Sequence, residues 1–215
     1  GAAAQRRDPV RPARDVRAAR GVGIPPRRPP PDEGPPLLTT APTLDHLYGL
    51  FPDSADRPDA VEVPAAAVPD PYHALLVHTH HMTVTVEGHF GGPVDVRVLS
   101  CRRDGHAYAR KILLELRREP KRVVQFGLVR IDLGVCPDAV RAAILDGRTP
   151  LGRVLIQHNM LRRVEPVAYL RASLSPAMAG WFGAAPGAET FGRVGVIYTG
   201  SRPAVEVLEI LAPLG

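Results

Sequence analysis

Apolar and polar side chains alternate most regularly in the second half of the chain. At 204–212 the order Ala-Val-Glu-Val-Leu-Glu-Ile-Leu-Ala predicts a strand. Successive side chains of a strand leave opposite faces, so Val205, Val207, Glu209 and Leu211 share one of them. A carboxylate therefore stands in an aliphatic row. The stretch 107–116 repeats the pattern with the opposite sign. Tyr108, Arg110, Ile112, Leu114 and Leu116 share a face there, while Lys111 and Glu115 go to the other. A buried carboxylate or guanidinium is costly to desolvate unless something meets its charge. Arg110 and Glu209 are thus expected either to pair with each other across a sheet or to flank a small anionic ligand, and the second arrangement is the favoured one.

The same patterning places the other elements. Strands are expected at 94–101, where Val94, Val96 and Val98 alternate with Asp95 and Arg97, and at 123–132, 161–172 and 191–198. Arg103-Asp104-Gly105 and Thr199-Gly200-Ser201 carry turn chemistry between strands. Short helices are expected at 44–51, at 72–78 behind Asp70-Pro71, at 137–145 ending on Gly147, at 149–158 with Thr149 as N-cap and Pro150 at N1, and at 175–181. Residues 80–87 lead into the turn Gly91-Gly92-Pro93, and a Pro- and Asp-rich link runs from about 52 to 71. Consecutive strands on short turns predict an α+β domain: a single antiparallel sheet of about six strands, with helices packed on it and enclosing a small ligand cavity.

Composition adjusts this picture at the N-terminus. Residues 1–43 contain ten prolines and eight arginines against four acids, whereas the remainder holds 19 basic and 18 acidic residues. Pro25-Pro26, Pro29-Pro30-Pro31 and Pro35-Pro36 block helix and sheet alike. A disordered tail over 1–43 and a folded domain over 44–215 are expected. The sequence pI of about 9.7 belongs to the tail, so the domain lacks the basic surface that nucleic acid requires, and no nucleic-acid partner is expected. No stretch approaches the roughly 20 apolar residues of a membrane span. A soluble, cytoplasmic protein without a membrane partner is the default expectation.

Common catalytic signatures are missing. Cys101 and Cys136 are isolated, without metal-ligand spacing. His78, His80 and His81 are close together but lack a further ligand at a recognised spacing, so no metal is expected. Gly147-Arg148-Thr149-Pro150-Leu151-Gly152 is followed by Arg153-Val154 where a phosphate loop needs Lys and Ser or Thr. Its helix start can still turn backbone N–H groups toward a carboxylate. Arg110 and Glu209 remain, with Arg193 and Glu165 as further strand-borne charges.

Several short motifs in order resemble the chorismate pyruvate-lyases, a family sharing a superfamily with UTRA-like ligand-sensing domains. They are Leu75-Leu76-Val77 with Met82-Thr83, Tyr108-Ala109-Arg110-Lys111-Ile112, Gly147 to Leu155, Gly192-Arg193, and Val207-Leu208-Glu209-Ile210. The resemblance spans roughly residues 72–213. It implies one antiparallel sheet around an internal site and cofactor-free cleavage of chorismate to 4-hydroxybenzoate and pyruvate. It also implies roles: Arg110 holds the ring carboxylate, Glu209 faces the ether oxygen and shuttles a proton, the backbone at Met82 and Leu151 completes the carboxylate pocket, and Gly127 approaches the ring. Arg193 is a further ligand-binding candidate. Leu128 stands where many of these lyases carry an arginine, and Gln157-His158-Asn159 falls where a pocket rim would vary with substrate.

The expected partner is a small aromatic or cyclohexadiene carboxylate, and the expected function a chorismate pyruvate-lyase. Glu209, set among Val205, Val207 and Leu211, is expected to have a raised pKa unless a nearby arginine opposes it. The alternatives are a cyclase or dehydratase of a natural-product pathway on the same scaffold, or a non-catalytic domain that binds a small carboxylate.

Overall fold

The computed structural model describes residues 38–52, 54–160 and 163–214. The expected tail lies outside the described residues up to position 37. Chain packing is already present ahead of position 44: Leu38 is buried, and the Thr39 N–H donates to Glu206 at 2.6 Å.

Seven strands form one antiparallel sheet in the order β1-β5-β6-β7-β4-β3-β2. They are β1 (Asp59–Val63), β2 (Val94–Asp104), β3 (Ala107–Leu116), β4 (Val123–Asp132), β5 (Arg163–Ser173), β6 (Glu189–Thr199) and β7 (Arg202–Leu211). The sheet is open, with β1 and β2 at its edges. The strand expected at the C-terminus is its centre, and β4, β6 and β7 are buried almost along their whole length.

Among the described residues, six α-helices cover the two faces: α1 (Leu44–Gly49), α2 (Tyr72–Leu76), α3 (Met82–Phe90), α4 (Asp138–Asp146), α5 (Leu151–Gln157) and α6 (Pro176–Phe182). On one face, Leu47 and Tyr48 of α1 and Met178 of α6 pack on Leu113, Phe126, Leu208 and Ile210. On the other face the apolar side chains fall into two clusters. One joins α4 and α5 to Val129, Ile131, Val205 and Val207. The second joins α2 and α3 to Ile112, Leu114, Phe191 and Leu211. Period-two alternation places these residues as expected.

β1, α3 and α5 show the departures from expectation that bear on the site. β1 lies within the stretch expected as a link, because five mostly exposed residues on an edge carry too little alternation to announce a strand. Pairing with β5, from Asp59 opposite Ser173 to Val63 opposite Tyr169, gives it its structure. α3 arises in Met-Thr-Val-Thr-Val-Glu-Gly-His-Phe, whose β-branched residues have modest helix propensity. Burial of Met82, Thr83 and Val86 against the sheet outweighs that preference. α5 begins one residue later than expected: Pro150 is the N-cap and Leu151 the first helical residue.

Candidate functional site

The seam between the two clusters on the α3/α5 face encloses a cavity. Its floor comes from β3, β4 and β7: Arg110 and Ile112, Gln125 and Gly127, Val207 and Glu209. Its walls are the first turns of α3 (Met82, Thr83) and α5 (Leu151, Gly152). An ion pair between Glu87 of α3 and Arg153 of α5 ties the walls together. Of the six residues singled out from the sequence, Arg110, Glu209, Met82, Leu151 and Gly127 line this one cavity.

Register explains the arrangement. Arg110 pairs with Val129, and Val129 with Val207. Ile112 pairs with Gly127, and Gly127 with Glu209. Arg110 and Glu209 are therefore two strands and two residues apart, a diagonal of about 12 Å between their Cα atoms at ordinary strand spacing. Gly127 lies between them on the floor. A Cβ there would come within 3.0 Å of the Ile112 Cδ1, so the glycine leaves open space that a side chain would occupy.

Arg110 is 1% exposed. One terminal nitrogen donates to the Ile144 carbonyl at 3.3 Å, at the C-terminal end of α4 where the helix dipole is negative. The Tyr108 phenol lies beside the guanidinium. Its Nε has no hydrogen-bond partner, and neither does the Gln125 Oε1 across the floor. Burial pushes the guanidinium below its usual value, with Tyr108 working the other way. It remains cationic at neutral pH all the same.

Glu209 is met by a different arginine. The Arg193 Nε donates to its Oε2 at 2.6 Å, across the pairing of β6 with β7. Arg193 also donates to the carbonyls of Leu76 at 3.0 Å, His78 at 2.9 Å and His80 at 3.3 Å. Expected among the ligand-binding residues, Arg193 does not line the cavity. Its three guanidinium nitrogens are all engaged in clasping the segment between α2 and α3 to the sheet. Arg110 and Glu209 thus neither pair nor face solvent.

His78 belongs to the same clasp. Its Nε2 lies 2.7 Å from the Leu75 carbonyl, and its Nδ1 accepts from the His80 N–H at 3.1 Å. That tautomer is neutral, and burial, with Arg193 nearby, pulls the imidazole below its ordinary pKa. Among the described residues, no three His, Cys, Asp or Glu side chains group as metal ligands would.

Gln125 escaped the sequence reading. It shares a face with Gly127, Val129 and Ile131, so the anomaly that exposed Arg110 and Glu209, a polar residue in an apolar row, marks it too. Glu206 was also missed. It is fully buried on the opposite face, bonded to Thr39 and to His46 at 2.9 Å.

The cavity measures about 50 Å³. That is room for a carboxylate group or a few waters, below the roughly 150 Å³ of an apolar cavity that hosts benzene. Among the described residues, no helix is long and apolar enough to cross a membrane.

No protein-family model and no curated protein matches the chain. Among solved structures, it is similar to the ligand-binding domain of a protein assigned to the GntR family of transcriptional regulators from Bordetella bronchiseptica, at 16% identity and a TM-score of 0.42, covering 55% of this chain and 85% of that one. It is similar to the effector domain of PhnF from Mycobacterium smegmatis, at 10% identity and a TM-score of 0.44, covering 62% of this chain and 88% of that one. A GntR-family transcriptional regulator from Bacillus cereus matches at 11% identity and a TM-score of 0.37, covering 56% of this chain and 92% of that one. None of the three is a chorismate pyruvate-lyase, and all are too distant to assign a role to any residue here.

Proposed function

We propose that the cavity binds a small carboxylate, with Arg110 as its anchor. One contrast carries the reading. Three basic side chains are buried among the described residues, and two have a carboxylate within 2.7 Å: Lys111 has Asp56 and Arg193 has Glu209. Arg110 has none within ion-pair distance and keeps Nε without a partner. A buried cation lacking a counterion is destabilising by several kcal/mol, and an anionic ligand removes that penalty. A carboxylate suits the planar fork of a guanidinium better than a spherical anion does. Titration calorimetry with 4-hydroxybenzoate tests it: micromolar to millimolar binding in the wild type, weakened at least about tenfold in Arg110→Gln, is the expected result. Equal affinity in the two proteins removes Arg110 from the site.

A finer reading is the lyase itself, favoured by Glu209 lining the same cavity as Arg110. Chorismate would place its ring carboxylate on Arg110 and its ether oxygen toward Glu209. Release of pyruvate aromatises the ring, so the protein supplies orientation and one proton transfer. This reading requires the α3 and α5 walls to part enough for a ring. A pyruvate-coupled assay with chorismate separates the two. Turnover abolished by Glu209→Gln supports the lyase, whereas binding of 4-hydroxybenzoate without pyruvate release leaves a binding domain.

A further inference from the structure

Next to the cavity, where the start of α3 meets the end of α5 and the start of β5, lies an open groove of about 640 Å³. We infer that the ligand is elongated, with its carboxylate at Arg110 and an uncharged, largely apolar tail lying in this groove. The inference rests on the carboxylate-binding reading and adds the class of molecule.

Size gives the first reason. The inner cavity, at about 50 Å³, accepts the head of a ligand and little else. The second reason is continuity. His81 lines both spaces, and Val164 on the groove pairs across the sheet with Ile197, which lines the inner cavity. The first turns of α3 straddle the boundary, with Met82 and Thr83 facing inward and Val84 on the groove.

The third reason is the chemistry of the lining. Five large apolar side chains are prominently exposed among the described residues, and two of them, Val84 at 51% and Ile156 at 37%, lie on this groove. Among the described residues, no Asp, Glu, Lys or Arg lines it; the polar groups are Thr79, His80, His81 and Asn159. No described carboxylate, Lys or Arg would meet a charged tail there, while an aryl or alkyl tail would cover the exposed aliphatic surface. Asn159 is part of the rim that the sequence marked as variable with substrate.

Calorimetry on the full chain, with benzoate and biphenyl-4-carboxylate as probes, tests the inference. The second ring should tighten binding roughly tenfold or more, the scale expected for burying about 60–100 Å² of apolar surface. In Val84→Asp and Ile156→Asp that gain over benzoate should fall below threefold. Both positions are exposed, and a thermal melt of each variant checks its folding. Benzoate binding with no gain from the second ring, or a gain that survives both substitutions, overturns the elongated ligand and leaves the carboxylate site standing. If neither probe binds at millimolar concentration, both readings fall.

Discussion

Arg110, Lys111 and Arg193 are all shut away from water, and what meets each of them separates structure from function. Lys111 is held by Asp56 at 2.7 Å and Ser54 at 2.6 Å, with Tyr48 and Phe51 rings nearby. Arg193 is held by Glu209 and three carbonyls. Substitution should therefore act in opposite directions. Arg110→Met should raise the stability of the ligand-free protein by about 1 kcal/mol or more while abolishing carboxylate binding, since it exchanges an unmet charge for apolar volume. Glu209→Gln should cost about 3 kcal/mol, toward the low end for breaking a buried pair because Arg193 keeps its carbonyl partners. Urea denaturation of the two variants beside the wild type checks both signs.

His78 adds a pH dependence at the same scale. Its folded pKa lies below the ordinary value of 6.5, through burial first and then Arg193. A depressed pKa means that the unfolded chain binds the proton more readily, so His78 favours folding fully above about pH 6.5 and loses that contribution as pH falls through its folded pKa. His78→Gln should flatten the decline in stability between about pH 7 and 5, measured as the urea midpoint at each pH. An unchanged slope would assign the acid sensitivity to other groups.

Among the elements, β4 and β6 each carry a glycine whose replacement separates site from scaffold. At Gly192 a Cβ would stand 2.5 Å from the Glu209 carbonyl oxygen, which is backbone and cannot give way cheaply. Gly192→Ala should cost on the order of 3 kcal/mol through loss of β6–β7 pairing. At Gly127 the obstacle is the end of the Ile112 side chain, which can turn aside. Gly127→Ala should cost about 1 kcal/mol or less while weakening carboxylate binding, because its methyl group enters the cavity floor. Melting curves and ligand titrations of the pair show whether the two effects part as stated. Much of this was readable from alternation: the strands containing Arg110, Gly127 and Glu209 follow it, whereas α3 and β1 do not, because burial and edge pairing respectively decide them.

The whole molecule brings these elements to one place by laying two helical walls over the centre of an open sheet. Neither wall closes the cavity alone: α3 belongs to one apolar cluster and α5 to the other. On the proposed reading, a ligand at the seam binds the folded chain and not the unfolded one. Saturation with benzoate at 100 times its Kd should therefore stabilise the protein by about 2.7 kcal/mol. The measurement is a shift in melting temperature that grows with the logarithm of benzoate concentration in the wild type and is absent in Arg110→Gln.

By itself the sequence determined which side chains share a face. Alternation along a strand is a local property, so Arg110 and Glu209 fall on one side of the sheet, and Lys111 and Glu206 on the other, whatever the neighbouring strands are. The tertiary structure alone decided the partners. Without the register shift between Ile197 and Tyr198, the β6–β7 hairpin would set Gly192 opposite Glu209. The shift sets Arg193 there instead, and its guanidinium meets the Glu209 carboxylate. A one-residue slip between two strands leaves little trace in composition or periodicity, yet it selects the residue that meets Glu209.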